Sequence, residues 1–164
     1  MKKLSIILAI VLTSCGIQHV AKKQAVVMTK AITSNNYEII LKYTHVNVVN
    51  MFGSEQNFIK MLETGTTEMK QLGNQYESIE IGRPSKIVKA GNEIHCMIPE
   101  SIHMQLKEGR MLVKSHLLAV SKDKGKNWTF VETDLLTKEN ITTILPNYNK
   151  ELVIPKKEEP IIIK

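Results

Sequence analysis

Residues 58–81, FIKMLETGTTEMKQLGNQYESIEI, contain the point at which the spacing of apolar side chains changes from helical to extended. Up to Gly73, apolar and small residues recur three or four positions apart, which is typical of one face of a helix. They are Phe58, Met61, Leu62, Gly65, Met69 and Leu72. Glycine commonly ends helices, and after Gly73 the pattern alternates with the period of two that is typical of a strand. This stretch therefore predicts a helix followed directly by a strand.

Helical spacing also extends upstream of this stretch. The periodicity predicts helices over residues 19–34, 37–44 and 46–52. Residues 34–36, all polar, break the first pattern and could cap the second helix, and Ser54 begins the helix of the opening stretch. The first half of the chain is therefore expected to be helical.

Downstream, alternation continues and predicts strands. Ile94, Cys96 and Ile98 share one face of a strand, and residues 111–121 form the next long strand. We expect residues 99–101, Pro-Glu-Ser, to interrupt the first of these strands as a bulge or a bend. Helices followed along the chain by an antiparallel meander form the α+β arrangement.

The C-terminal part of the chain carries weaker signals. A short helix is expected over residues 138–145, and Pro146 stops it. Residues 155–164 are expected to form a frayed tail. The alternative is that residues 161–163, three isoleucines, add an edge strand.

Length and composition limit the class of protein. A chain of 164 residues with 43% hydrophobic residues is enough for one ordinary domain, and its composition excludes a collagen-like chain or a disulfide scaffold. The formal charge is +6, but the basic residues are spread along the chain. We therefore expect no nucleic acid among the partners.

The first fifteen residues have the organisation of a bacterial secretion signal. Two lysines follow Met1, and residues 4–12 are almost entirely apolar but too few to span a bilayer, which needs roughly 20 residues as a helix. Leu12-Thr13-Ser14-Cys15 resembles the lipobox of bacterial lipoproteins. The resemblance implies that residues 1–14 are a signal peptide and that acyl chains, such as palmitate, on Cys15 anchor the protein in membrane lipid. An ordinary signal peptide with an incidental cysteine is the alternative.

The resemblance to lipoproteins also implies a location. Loss of residues 1–14 leaves a chain of 150 residues with a formal charge of +4, since both N-terminal lysines are removed. Gly16 replaces the Asp that signals retention in the inner membrane, and residues 15–19, the expected tether, contain no acidic run. We therefore expect a lipid-anchored protein of the cell envelope, at the outer membrane and facing the periplasm.

The order of helices and strands from residue 20 to about 145 resembles the NTF2-like, or cystatin-like, cone. Asn36-Tyr37-Glu38 and Leu41-Lys42-Tyr43-Thr44-His45 resemble the second helix of small bacterial lipoproteins of this family, although many relatives have proline where this chain has Val46. The resemblance implies N-terminal helices packed on a curved antiparallel sheet, with a pocket at the open end. The domain is expected over residues 20–154, and the tail follows it.

Since this fold hosts many activities, the resemblance transfers little function. Tyr43 and His45 are candidate pocket-lining residues. We expect a membrane-anchored module that binds a small ligand or an envelope protein. The alternative is a small-molecule enzyme of the NTF2-like type acting in the cone pocket.

The sequence offers no catalytic residues for that alternative. Pocket enzymes of this fold use a buried Asp, Tyr or His, and neither Asp123 nor Asp134 is expected in such a position. No cofactor motif occurs, and the histidines lack the spacing of metal ligands, so neither a cofactor nor a metal is predicted. Cys96 is predicted to be a buried core thiol rather than a nucleophile, because His95 would point to the opposite face of the strand.

Residues 121–128, SKDKGKNW, match the S-x-D-x-G-x-x-W pattern of the Asp-box in sialidase-type propellers. A propeller needs many copies, and this chain has one. Asp123 can accept hydrogen bonds from backbone amides, Gly125 can supply a positive φ, and Trp128 can pack beneath the turn. The motif therefore predicts a hairpin turn.

Overall fold

The computed structural model of the chain describes the backbone of residues 2–163 and the side chains of residues 16–163. Four helices come first: α1 (Lys2–Thr33), α2 (Tyr37–Tyr43), α3 (Val46–Asn50) and α4 (Glu55–Gln71). The side chain of Asn36 accepts a hydrogen bond from the backbone N–H of Ile39 and caps α2, and Ser54 caps α4 in the same way through Asn57. Both caps confirm the predicted helix starts, since each satisfies a backbone donor that the helix leaves free.

A six-stranded sheet follows the helices. Its strands are β1 (Gln75–Ile81), β2 (Val88–Ala90), β3 (Glu93–Leu106), β4 (Gly109–Ser121), β5 (Thr129–Glu132) and β6 (Ile161–Ile163). The order is β1-β3-β4-β5, while β2 pairs with β3 and β6 with β4, and every pairing is antiparallel. N-terminal helices pack on this curved sheet, which confirms the α+β class.

The predicted interruption at residues 99–101 is wrong. β3 pairs with β4 without a register shift from Ile94 opposite Ser121 to Leu106 opposite Gly109. The carbonyl of Pro99 accepts a hydrogen bond from Gly82, which lies just beyond the end of β1. A strand residue directs its N–H and its C=O to the same neighbouring strand, so the missing N–H of this proline costs no bond to β4. The irregularity of the sheet lies instead in β1.

The central strands are buried on both faces. The inner face lies under α1 and contributes Cys96, Ile98, Leu117, Ala119 and Phe130 to one cluster. The outer face lies under α3, α5 (Ile141–Ile144) and the segment that follows, and contributes Met97, Leu118, Val120 and Val131 to a second cluster. The predicted burial of Cys96 is confirmed, and this burial raises the pKa of its thiol to about 12.

The β4–β5 turn confirms the predicted hairpin. The carboxylate of Asp123 accepts hydrogen bonds from the backbone N–H groups of Lys126 and Asn127, at 3.1 and 2.9 Å. Gly125 has a φ of +88°, and the buried indole of Trp128 donates to its carbonyl at 3.0 Å. The turn is therefore held by its own side chains.

Both ends of the chain differ in detail from the expectations. Residues 16–19, expected to be a tether, lie within α1, and the C-terminal helix is shorter than predicted. The edge-strand alternative holds for the tail, because β6 pairs with Arg110–Leu112 of β4. Among the described residues, no helix combines the length and the apolar character needed to cross a membrane.

Candidate functional site

A cavity of about 480 Å³ lies between the helices and the inner face of the sheet. Its walls come from α1, α2, α4, β1 and β5, and most of the lining is apolar. The large apolar side chains are Met28, Ile32, Tyr37, Ile40, Phe52, Phe58, Met61, Leu62, Met69, Phe130 and Leu135. This volume and lining are typical of small-molecule sites.

The apolar face of α4 forms one wall of the cavity. The stripe predicted from the opening stretch faces the interior, but only Phe58 of α4 is fully buried. Met61 on the same stripe remains 38% exposed although it lines the cavity. An amphipathic helix normally buries such a stripe against a packed core. Here part of the stripe borders empty space, so the helix contributes surface that a ligand can cover.

Polar groups close the inner end of this cavity. Glu132, the last residue of β5, and Tyr76 of β1 both line it. Behind them Glu100 is 3% exposed, opposite Ser115 in the β3–β4 register. The hydroxyl of Ser115 lies 3.5 Å from Oε2 of Glu132. Two carboxyl groups, a phenol and a hydroxyl therefore converge on one end of an apolar cavity.

The two carboxyl groups retain protons more strongly than ordinary glutamates. Burial raises the pKa of Glu132 well above its ordinary value, and the neighbouring Glu100 raises it further. Burial likewise raises the pKa of Glu100, against a hydrogen bond from Glu132 that lowers it. None of the ion pairs formed by the described residues includes either carboxyl group. A pair of this kind shares a proton, so one carboxyl group can donate a hydrogen bond while its neighbour accepts one.

Neither glutamate is predicted from the sequence as a site residue. In β3, Glu100 has the same parity as Cys96 and Ile98, and strand alternation alone places it on the buried inner face. The expected bulge at residues 99–101 hid this signal, because a bulge would have reset the alternation. Glu132 has the parity of the buried Phe130, but the sequence does not show that β5 lies close enough to β3 for the two carboxyl groups to meet.

The structure brings neither Tyr43 nor His45 into this cavity. Tyr43 ends α2 and packs against the inner-face cluster, with its ring centroid 6.2 Å from that of Phe130. His45 is 3% exposed and caps α3 by accepting from the backbone N–H of Asn47 at 3.3 Å. Its role in that position is structural, since the cap satisfies a free donor of the helix.

His45 borders a second, more open groove of about 700 Å³, between α2, α3 and the β4–β5 turn. Behind it, Nε2 of the buried His95 lies 3.2 Å from Oε2 of Glu93, and Nζ of Lys122 lies 3.5 Å from the other oxygen of that carboxylate. Burial and the charge of Lys122 lower the pKa of His45. His45 is therefore neutral at pH 7. The groove is open rather than enclosed, and charged side chains of both signs line it.

The remaining predictions concern the N-terminus and metal binding. Cys15 and the signal peptide of residues 1–14 lie outside the described side chains. Among the described residues, no group of three or more His, Cys, Asp or Glu side chains comes close enough to hold a metal ion. His103, which has the parity of His95, lies 3.9 Å from Glu80 at the opposite end of β3.

Comparison of the chain with models of known protein families and with curated proteins finds no match. The fold and the cavity define the class of protein: an α+β domain with a mostly apolar cavity between its helices and its sheet.

Proposed function

We propose that this protein is a lipoprotein of the cell envelope, a membrane-tethered module whose α+β domain binds a small, mostly apolar ligand. The observation that carries the proposal is the cavity of about 480 Å³, with its apolar walls and the carboxyl pair at its inner end. The lipobox-like sequence Leu12-Thr13-Ser14-Cys15 supports the lipoprotein part of the proposal. The NTF2-like cone is the family we propose for the domain, because a long helix lies across a curved sheet beside a cavity.

The cavity indicates the chemistry of the ligand. Its walls suit an apolar body of one or two rings, since sites of about 300–1,000 Å³ hold small molecules. The protonated carboxyl group of the pair and the phenol of Tyr76 offer hydrogen-bond donors to an acceptor oxygen on the ligand. We therefore propose a ligand with an apolar ring system and a carbonyl or hydroxyl oxygen at one end.

A matched pair of probe compounds tests this proposal. 2-Acetylnaphthalene carries the acceptor oxygen, and 2-ethylnaphthalene has nearly the same shape without it. We expect the full chain to bind the ketone about tenfold more tightly, because one hydrogen bond contributes roughly 1–1.5 kcal/mol. Calorimetric titration measures both affinities. The Glu132→Leu variant is expected to show a smaller preference for the ketone, because only the phenol of Tyr76 remains as a donor.

Two tryptophan variants locate the binding site. Met61→Trp places a large ring against the cavity and is expected to abolish binding of both compounds. Met51→Trp is the control, because this methionine is 57% exposed and lines neither the cavity nor the groove beside His45. Failure of the unmodified chain to bind either compound, or equal loss of binding in the two variants, would contradict the proposed site.

Lipidation is tested separately by the intact mass of the protein purified from bacterial membranes. We expect loss of residues 1–14 and a gain in mass from acyl chains on Cys15, because the cysteine thiol is the group that forms the thioether. The Cys15→Ser variant is expected to keep its leader and to carry no acyl chain. An unmodified full-length mass for the original chain would refute the lipoprotein half of the proposal.

The carboxyl pair favours an enzyme as the second candidate function. A buried acid beside a carboxylate, in an apolar site, is an arrangement that performs acid–base chemistry at a carbonyl compound. In this reading, the ionised carboxylate of Glu132 removes a proton from the carbon next to the carbonyl, and the phenol of Tyr76 hydrogen-bonds to the carbonyl oxygen. Exchange of the methyl hydrogens of 2-acetylnaphthalene in deuterated water measures this step. Exchange that the Glu132→Gln variant also shows, or no exchange above the buffer rate, would exclude it.

A further inference from the structure

The middle of α1, at residues 17 and 18, is held between two loops of the sheet. One loop joins β1 to β2, and its Ser85 carbonyl accepts a hydrogen bond from the side chain of Gln18 at 2.6 Å. The other is the β4–β5 turn, in which Gly125 packs so closely against Ile17 that an added Cβ would overlap the isoleucine. Both loops therefore lie beside the first residues that follow Cys15.

A third residue of α1 fixes the β4–β5 turn. The side-chain amide of Gln24 donates to the carbonyl of Lys126 at 2.9 Å and accepts from the backbone N–H of Trp128 at 2.8 Å. An α-helix rises 1.5 Å per residue, so Ile17 lies only about 3 Å along the axis from residue 15. The position of both loops relative to the point of lipid attachment is therefore set by packed contacts.

These two loops carry a concentrated positive charge. Residues 82–87 and 122–127 contain five basic side chains and one acidic side chain, Asp123. The four basic residues Arg83, Lys86, Lys124 and Lys126, here called the basic rim, are all exposed. None of them takes part in the ion pairs formed by the described residues. The carboxylate of Asp123 is occupied by hydrogen bonds within its own turn.

We infer that the basic rim seats the domain on anionic phospholipid headgroups. The inference rests on the proposed acylation of Cys15, which would hold the rim at the bilayer surface. There each basic residue strengthens attachment roughly fivefold, and the attraction extends over about one Debye length, roughly 8 Å at physiological ionic strength. A single acyl chain binds reversibly, whereas a chain combined with a basic patch anchors firmly.

Seating on the rim also orients the cavity. Met28 and Ile32 of α1 line the cavity, and they lie roughly 17–23 Å along the helix axis from Ile17. The cavity thus lies further along α1 from residue 15 than Ile17 does. With the rim on the lipid, the cavity-lining part of α1 is the part further from the point of lipid attachment.

Lysine footprinting of the intact, purified protein in lipid nanodiscs tests the inference. One set of discs contains phosphatidylcholine only, and the other contains equal parts phosphatidylcholine and phosphatidylglycerol. We expect an amine-reactive reagent to label Lys86, Lys124 and Lys126 about threefold or more slowly on the anionic discs. Lys60 and Lys70 on α4 are the controls, and their labelling is expected to be equal on both lipids.

Salt and substitution separate charge attraction from simple proximity. In 1 M NaCl, where the Debye length is about 3 Å, the protection is expected to vanish. Arg83→Gln together with Lys86→Gln is expected to reduce the protection of Lys124 and Lys126 in the other loop, whereas Lys60→Gln with Lys70→Gln leaves it unchanged. Equal labelling of the three rim lysines on both lipids would overturn the inference.

The intact mass of the same sample shows whether Cys15 is acylated, so failure of the lipoprotein proposal is detected independently. If the protein carries no acyl chains, the same two lipid mixtures are added as vesicles. The ratio of lysine labelling on the neutral and the anionic lipid then tests the inference. Protection that is equal on both lipids would again overturn the inference.

Discussion

At the residue scale, the most informative side chains are two glutamates that burial keeps from ionising normally. Glu100 and Glu132 have no basic partner among the ion pairs of the described residues. Burial raises the pKa of both, and Glu100 raises the pKa of Glu132 further. Burying an unpaired carboxylate in the core of a small domain is costly, and the usual response is a raised pKa. The fold therefore keeps two energetically unfavourable carboxyl groups at the inner end of the cavity. Such unfavourable groups are expected at functional sites.

The first prediction concerns the pH dependence of stability. The pKa values of both glutamates lie above their ordinary value of 4.5 in the folded chain, so the folded chain keeps protons that the unfolded chain releases. The free energy of unfolding is therefore expected to fall as the pH rises above about 4.5, by up to about 1.4 kcal/mol per pH unit for each carboxyl group that remains protonated. Urea unfolding at pH 5, 6, 7 and 8 measures this slope.

The Glu132→Gln variant removes one of the two titrating groups and is expected to show a flatter profile over the same pH range. Glu63→Gln, an exposed substitution on α4, serves as the control and is expected to leave the slope of the original chain unchanged. Parallel profiles for all three proteins would show that the buried carboxyl groups ionise normally.

At the scale of single elements, the β4–β5 turn links the sheet to α1. Asp123 organises the turn from within, Trp128 packs beneath it, and Gln24 of α1 bonds to it on two sides. The helix is thereby fixed to the sheet. An Asp-box pattern thus occurs here as one local hairpin that positions a helix, without the repetition that a propeller requires.

The second prediction concerns this turn. Asp123→Ala removes hydrogen bonds to a charged acceptor and is expected to lower the free energy of unfolding at pH 7 by about 1 kcal/mol, since the turn is solvated. These hydrogen bonds lower the pKa of Asp123 from 3.8 to about 2. The stabilisation is therefore fully present above pH 3.8 and is lost as the pH falls through 2.

Urea unfolding of both proteins between pH 2 and pH 7 measures this difference. Asp123→Asn keeps an acceptor oxygen and is expected to retain part of the stability at pH 7 without the acid-dependent loss. A difference between Asp123→Ala and the original chain that stays constant down to pH 2 would contradict the role of the charged carboxylate.

At the scale of the whole molecule, the chain covers its own sheet on both faces and along one edge. Helices cover the inner face, and α3, α5 and the C-terminal segment cover the outer face. β5 pairs with one end of β4, and β6 pairs with the other end of the same edge. Unpaired strand edges promote association between molecules, so β6 acts as a cover for β4.

The third prediction concerns association of the protein. Removal of residues 160–164 exposes the backbone of Arg110–Leu112 and is expected to produce dimers or larger species at high protein concentration. Light scattering coupled to gel filtration measures this change. The free energy of unfolding is expected to change little, because the three isoleucines of β6 are 42–55% exposed. A shortened chain that stays monomeric at the concentration at which the full chain does would contradict this role.

The parts of the fold that depend on local periodicity could be predicted. The stripe of α4, the caps at Asn36 and Ser54, and the hairpin turn at residues 121–128 each depend on contacts within a few residues. The effect of Pro99 could not be predicted in the same way. Whether a proline breaks a strand depends on which neighbour its missing N–H would have faced, and only the position of β1 settles that question.

The sequence by itself determined the α+β class, the helix starts and the buried Cys96, because these follow from the spacing of side chains along a helix or a strand. The sequence also contains the lipobox-like residues 12–15, whose side chains lie outside the part of the chain that the structure describes. Only the tertiary structure decided where the cavity lies and what closes it, because Glu100 and Glu132 belong to strands that are separated by β4 in the sheet. Their meeting depends on the curvature and register of that sheet. The raised pKa values arise only once the surrounding core is in place and, for Glu132, once Glu100 lies beside it.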